Sequence, residues 1–359
     1  ITDCSMPMTM DTYSVCSYNC LYCFAYFQKS HTVDGYLSKD VRSVNPEKVI
    51  EIFEAARGAT DKKLSEVTSQ FIPYIRAGRI MQWGGMADQF DEYERKHGVT
   101  LSLLRYFDAI DYPLSFSTKA AWWTEDSRYM ELFAKHAHNW HTKISIITAD
   151  EEKAARMEKG VPSPAERFAA IMRLTSQGNR VTLRLRPYII GLSEDYETSI
   201  TEAHRAGADS VTTEFFCMES RANEQLKARY AEMSEICKFD IWKFYMEQSK
   251  QSGYKRLSKA IKAPIIYKMR DFAHSLGLRF HVSDAACREC NDACNCCGVP
   301  PEWGVSQTGH IGNAIIIARE KGEVRFSDIS DPIGKYFDFP WVKACGFNTG
   351  SNRARALLY

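Results

Sequence analysis

The chain has 359 residues, 45% hydrophobic and 25% charged, with a formal net charge of +1. This is an ordinary globular composition, enough for one big domain with an appendage or for two modest ones, and its charge balance gives no global sign of nucleic-acid binding. No run of about twenty apolar residues offers a membrane span, and the opening ITDCSMPM lacks the basic-then-apolar order of a secretory signal.

Short apolar, β-branched runs alternate with helical stretches, the pattern of parallel strands joined by helical crossovers. In chain order the expected elements are a strand over 10–15, a helix over 46–57, a strand over 80–83, a helix over 101–109 and a strand over 114–117. A helix over 125–136, a strand over 143–147, a helix over 164–177, a strand over 181–185, a helix over 194–206 and a strand over 210–213 follow. Pro164 suits a first helical turn after Ser163 as cap, and Gly178 suits a helix stop. Six strands are the count of a partial (β/α)6 barrel. A charged helical region over 223–276, broken near Gly253 and Pro264, then leads to a seventh strand over 279–282. The expected division is a barrel over 1–284, with a helical insertion over about 221–276, and a cysteine-rich extension over 285–359.

Between Arg221 and Arg270 there are twelve Lys and Arg against five Asp and Glu, interleaved with Tyr230, Trp242, Phe244, Tyr245, Tyr254 and Tyr267. That mixture suits a phosphate backbone and stacked bases. It equally suits a solvated helix whose aromatics face the core, as the spacing of Ile241, Phe244 and Tyr245 suggests.

Of the twelve cysteines, most fall in two groups with metal-ligand spacing, which in a large chain implies a reducing cytoplasm rather than disulfides. Cys16, Cys20 and Cys23 lie within eight residues in YSVCSYNCLYCFAYF. Thiolates are the soft ligands iron-sulfur clusters require, and three of them leave one iron of a cubane free of protein. A zinc knuckle completed by Cys4 or a distant histidine, or buried free thiols, are the other uses. Cys287, Cys290, Cys294, Cys296 and Cys297 place five thiols in eleven residues, more than packing needs. Four of them would close an auxiliary iron-sulfur cluster or a structural zinc site, with Cys345 a further thiol nearby in sequence.

The CxxxCxxC stretch resembles the radical S-adenosylmethionine (SAM) superfamily. The resemblance implies a [4Fe-4S] cluster on Cys16, Cys20 and Cys23, whose open iron takes the amino and carboxylate groups of SAM, and Tyr22 lying against the adenine. It also implies an external electron donor such as flavodoxin or ferredoxin. Gly84, Gly85 and Met86 in WGGMADQF align with the glycine motif that meets the SAM amino group, and Lys119 after Ser117 would neutralise its carboxylate. Ser145 and Thr148 are expected to hydrogen-bond ribose or methionine groups. Arg184 and Arg186, two apart on a strand, share a face and need an anionic partner, either a ligand or a structural carboxylate such as Glu158.

The runs GGMADQF, YPLSFSTKA, MEKGVPSPAERFAAIMRLTSQGNRV and RPYIIGLSED are similar to the branch that includes spore photoproduct lyase, over roughly residues 12–216. That branch implies a nucleobase substrate, most of all a thymine-derived one in DNA, and lyase or isomerase chemistry. The donor cysteine that spore photoproduct lyase carries near the second strand is replaced here by Gly85-Met86-Ala87-Asp88. Cys217, after the sixth strand, is the nearest alternative hydrogen donor, or a buried small residue. A peptide or small-metabolite substrate and a non-catalytic zinc-binding nucleic-acid module are the competing readings.

Overall fold

The computed structural model describes residues 6, 8–29, 35–36, 40–58, 71–221, 223–249, 253–293, 295–303 and 318–325. The strands in chain order are β1 (Met8–Met10), β2 (Asn19–Cys20), β3 (Met81–Trp83), β4 (Leu114–Thr118), β5 (Trp140–Ser145), β6 (Glu158–Lys159), β7 (Arg180–Tyr188), β8 (Ser210–Phe215), β9 (Met218–Glu219), β10 (Tyr254–Lys255) and β11 (Arg279–Val282). Seven form one sheet in the order β1-β3-β4-β5-β7-β8-β11, with every neighbouring pair parallel. This is the expected partial barrel, with the seventh strand as its last member.

Strand alternation divides the sheet into two unlike faces. On the helix side Trp83 stacks on Phe116, and Phe116 and Trp140 both meet Phe133 of the helix Ser127–Lys135 at ring distances of 5.0 and 5.2 Å. The other face is polar although buried. Lys143 Nζ donates to Gln82 Oε1 at 2.6 Å and to Ser115 Oγ at 2.5 Å. The contacts continue through His141 to Thr182 and from Thr182 to Ser210, crossing from β3 to β8. Burial, then the nearby Lys143 charge, holds His141 well below the usual histidine range, so it is neutral here.

Local chemistry sets the helix boundaries. Ser163 and Glu166 form a reciprocal capping box at the start of the helix Pro164–Ser176, with Pro164 in the first turn, and Gly178 takes a left-handed φ of 86° just beyond its end. The helix Pro46–Arg57 starts on the Asn45 side chain and stops at Gly58. Pro264 does not break its helix: Lys259–Ser275 runs through it. The proline is exposed while Lys262, Ala263, Ile266 and Met269 pack inward, so burial outweighs the lost hydrogen bond. The expected break near Gly253 is present, between Gln248 and Lys259, and a further one falls between Glu224–Cys237 and Ile241–Gln248, where Lys238 is left-handed and Asp240 caps.

The first strand also differs from expectation, ending at Met10 rather than at residue 15. Asp11 leaves the sheet to accept hydrogen bonds from the glycine loop. β5, the fourth expected strand, begins three residues early, at Trp140, because His141 faces the polar interior and interrupts the apolar run.

Among the aromatics of the basic stretch, Tyr230 and Tyr245 are buried and Tyr245 donates to Phe216 O at 2.9 Å. These two therefore serve the core rather than an exposed stacking platform. No helix among the described residues is long and apolar enough to cross a membrane.

Candidate active site

The cysteine loop lies between β1 and the helix Ala25–Lys29. Its middle is tied into structure by the antiparallel pairing of β2 with β6, which sets Cys20 opposite Glu158, and by Leu21 N donating to Met157 O at 2.9 Å. Cys16 N donates to Tyr36 Oη at 3.0 Å, and Ser17 N to Asp91 Oδ2 at 2.6 Å. From the other side Arg229 donates to Cys20 O at 2.6 Å, to Asn19 Oδ1 at 2.8 Å and to Tyr26 Oη at 2.8 Å, with its guanidinium 4.6 Å from the Tyr26 ring centre. A short loop is thus held by residues from 20 to 210 positions away.

Tyr22 is buried and its hydroxyl donates to Glu158, whose other oxygen pairs with Arg167 at 2.8 Å; both charged side chains are only 1% exposed. Arg167 also donates to Ser145 O at 2.7 Å, so one guanidinium links the cysteine loop to the end of β5. Lys119 Nζ stands 5.6 Å from the Tyr22 ring centre.

The donor set fits an iron-sulfur cluster. Burial pushes the Cys16 and Cys23 thiols up and raises Cys20 to about 12, whereas Lys119 pulls Cys20 and Cys23 back down and Arg229 does the same for Cys23. Buried thiols of this kind become thiolates when a cation binds them, and the two side-chain cations offset the negative charge that results.

The loop after β3 is the second wall. Gly84 has φ 86°, and a side chain there would meet Gln89 Oε1 at 2.1 Å and Ser117 O at 2.5 Å. The amides of Gly85, Met86 and Ala87 all donate to Asp11 Oδ1, at 2.7, 2.9 and 3.1 Å. With its amides taken, what this backbone can offer a ligand is carbonyl oxygen, the acceptor an ammonium group needs. Asp88 braces the next loop by accepting from Thr118 Oγ1 at 2.7 Å and from Lys119 N at 2.6 Å.

The remaining expected residues take separate places. Ser117 accepts from Gln82 Nε2 at 3.0 Å, and Arg184 donates to Ser145 Oγ at 3.1 Å. Burial and then the adjacent Arg186 lower Arg184 to about 10, the mark of a cation held in a confined, already positive region. Arg186 pairs with Glu214, not with Glu158, which Arg167 and Tyr22 occupy. Thr148 is buried and donates to Asp195 Oδ2 at 2.8 Å, so it is committed to structure. Cys217 is partly buried just past β8, its thiol raised to about 11 by burial, with Phe215 O 3.7 Å away.

In the second cysteine group, Cys287 and Cys290 pack into the main core beside Lys259 and Glu289. Cys296 and Cys297, with sulfurs 3.8 Å apart, belong to a smaller cluster with Met6, Ile80 and Val299. Thr212 donates to Cys296 O at 2.6 Å, and a side chain at Gly298 would strike Thr182 Oγ1 at 2.3 Å, so this segment lies against the polar face of the sheet. Cys4, Cys294 and Cys345 lie outside the described residues.

Asp11, Asp88 and Arg229 were not singled out by sequence reasoning. Asp11 directly follows a strand and Asp88 sits inside GGMADQF, so position could have flagged both; Arg229 is one basic residue among many in its segment.

Neither the family models nor the curated proteins compared with the chain include a match. Among solved structures it is similar to a mutant of spore photoproduct lyase, with TM-score 0.55 and 14% identity over 77% of this chain and 76% of that one. It is similar to spore photoproduct lyase complexed with dinucleoside spore photoproduct, with TM-score 0.54 and 16% identity over 76% of this chain and 74% of that one. SuiB from Streptococcus suis bound to precursor peptide SuiA matches with TM-score 0.50 and 12% identity, over 96% of this chain and 67% of that one. At such identities the likeness is one of fold, a partial barrel of parallel strands shared with these enzymes.

Proposed function

We propose that the chain is a radical SAM enzyme that abstracts hydrogen from a nucleobase, most of all a thymine-derived one in DNA, for rearrangement, modification or repair. The observation that carries this reading is the loop with Cys20 buried and Cys16 and Cys23 half-buried, facing Lys119 through Tyr22 and built on the barrel fold. When bound, a [4Fe-4S] cluster with an open iron supplies the electron that cleaves SAM to a 5′-deoxyadenosyl radical. In this reading Lys119 neutralises the SAM carboxylate, the carbonyls of Gly84, Gly85 and Met86 receive its ammonium group, and Tyr22 supports the adenine. Ser117, Ser145 and Arg184 orient its remaining polar groups.

The nucleobase is favoured by the likeness to a lyase solved with a dinucleoside substrate. The absence of a cysteine at positions 85–88 favours rearrangement or modification over simple repair. A peptide substrate is the second reading, favoured by the 96% of this chain that aligns with SuiB in complex with SuiA. In either case an external donor such as flavodoxin or ferredoxin supplies the electron, and a reducing cytoplasm is the matching compartment. Cys217 is the candidate hydrogen donor. The thiols of the second group would hold an auxiliary iron-sulfur cluster or zinc.

The test is anaerobic incubation of the reconstituted protein with SAM, a reductant and either thymine-containing DNA or peptide. The expected outcome is 5′-deoxyadenosine formation that rises only with the nucleic acid. A rise with peptide alone would move the assignment to the second reading, and a colourless protein holding only zinc would end both.

A further inference from the structure

Far from the cysteine loop, at the amino ends of β4 and β5, two turns lie side by side. One follows the helix Val99–Ala109 and the other follows the helix Ser127–Lys135, and Leu114 N donates to Asn139 O at 3.1 Å between them. They bring together Asp111, His136 and His138, one ligand-type atom of each lying within 4.8 Å of the others. Asp111 Oδ1 is 3.2 Å from His136 Nδ1 and 3.3 Å from His138 Nε2. Bonds of about 2.0–2.2 Å to a tetrahedral zinc set neighbouring ligand atoms about 3.3–3.5 Å apart, so these separations already suit one ion.

His136 is the best-defined of the three. Its ring is buried and stacked on Trp140, with centroids 4.4 Å apart and planes 15° from parallel, which fixes its orientation. Nε2 lies 2.7 Å from Asp108 Oδ1, which also takes Lys135 Nζ at 2.5 Å. A carboxylate on one ring nitrogen is the usual support for a histidine that binds metal through the other.

That other nitrogen has an unusual neighbourhood. Asn139 Nδ2 donates to Asp111 Oδ1 at 2.8 Å and to Asp111 O at 3.3 Å, which turns Asn139 Oδ1 toward His136 Nδ1 at 3.2 Å. With its proton on Nε2, the ring would aim the Nδ1 lone pair at two oxygen acceptors and no donor. A metal ion placed among these atoms would turn the converging lone pairs into ligands. The neighbouring His138 nitrogen, on an exposed side chain free to adjust, stands where it would complete such a set.

We propose that Asp111, His136 and His138 form a binding site for a zinc-type divalent cation, with water completing the tetrahedron, that fastens the two turns together. The site is remote from the cysteine loop and independent of the radical reading. The test uses the reconstituted, cluster-loaded protein in equilibrium dialysis against zinc, with iron content measured in parallel. The parent should take up one zinc more per chain than His138→Ala or Asp111→Asn at equal iron content. Saturating zinc should raise its melting temperature by roughly 5 °C at a hundredfold excess over Kd, an increase both variants lose. Both substituted residues are exposed, so the variants should fold. Equal zinc uptake in parent and variants, or no zinc uptake by the parent beyond that of the cysteine groups, would overturn the proposal.

Discussion

Glu158 and Arg167 are each 1% exposed, and between them they touch Tyr22 of the cysteine loop and the backbone of Ser145. Removing one member of such a pair strands the other charge in a region without water. Glu158→Ala should therefore cost about 3–5 kcal/mol, read as a shift in the urea unfolding midpoint. Adding Arg167→Met should recover part of that loss; an equal or larger loss in the double variant would show that the carboxylate matters for something other than pairing. The three cysteines were legible in sequence as a group because their spacing suits a shared metal centre, and the fold holds them in one loop. Glu158 was expected as a structural partner of Arg184 or Arg186, and its actual partners, Arg167 and Tyr22, emerge only once β2 and β6 are seen to pair.

At the level of elements, adjacent glycines with identical sequence signals have different jobs. Gly84 is left-handed and jammed against Gln89 and the Ser117 carbonyl, whereas the nearest atoms to a side chain at Gly85 are the Asp11 carboxylate oxygens at 3.9 Å. Gly84→Ala should destabilise the fold by about 1–3 kcal/mol, from backbone strain alone, and weaken SAM binding because the loop must move. Gly85→Ala should unfold close to the parent. Equilibrium dialysis with SAM beside thermal unfolding checks both, and similar losses in the two variants would count against the loop geometry. Helix ends and parallel strands were readable from caps and β-branched runs, as Ser163 and Gly178 show. Positions governed by a distant partner were not: the early end of β1 depends on Asp11 meeting a loop some seventy residues later.

For the whole molecule, the open question is how many metal centres the chain holds. The cysteine loop lends no strand to the seven-stranded sheet, so replacing Cys16, Cys20 and Cys23 together with alanine should leave that sheet folded and remove one cluster. If the second cysteine group binds iron and sulfide, iron should fall from about eight to about four per chain, with a distinct electron paramagnetic signal remaining. If that group binds zinc, iron should fall from about four to none while the zinc on that group persists. Unchanged iron in the triple variant would refute the loop as a cluster site. Sequence grouped Cys287 to Cys297 by proximity along the chain, and the fold distributes the described ones between two packing clusters. Linear spacing could not report that division, because it arises only when the segment turns back along β11, where Asp292 N donates to Phe280 O at 3.0 Å.

The fastening of the cysteine loop also has a history in time. Cys20 is joined to Arg229 across 209 positions and Tyr22 to Glu158 across 136, so on a growing polypeptide the thiols leave the ribosome long before their clasps exist. For that interval the thiols lack the contacts that hold them in the folded chain. The clasp can close only once the helix Glu224–Cys237, which carries the arginine, has been made, so the loop takes its final form after six strands of the main sheet exist.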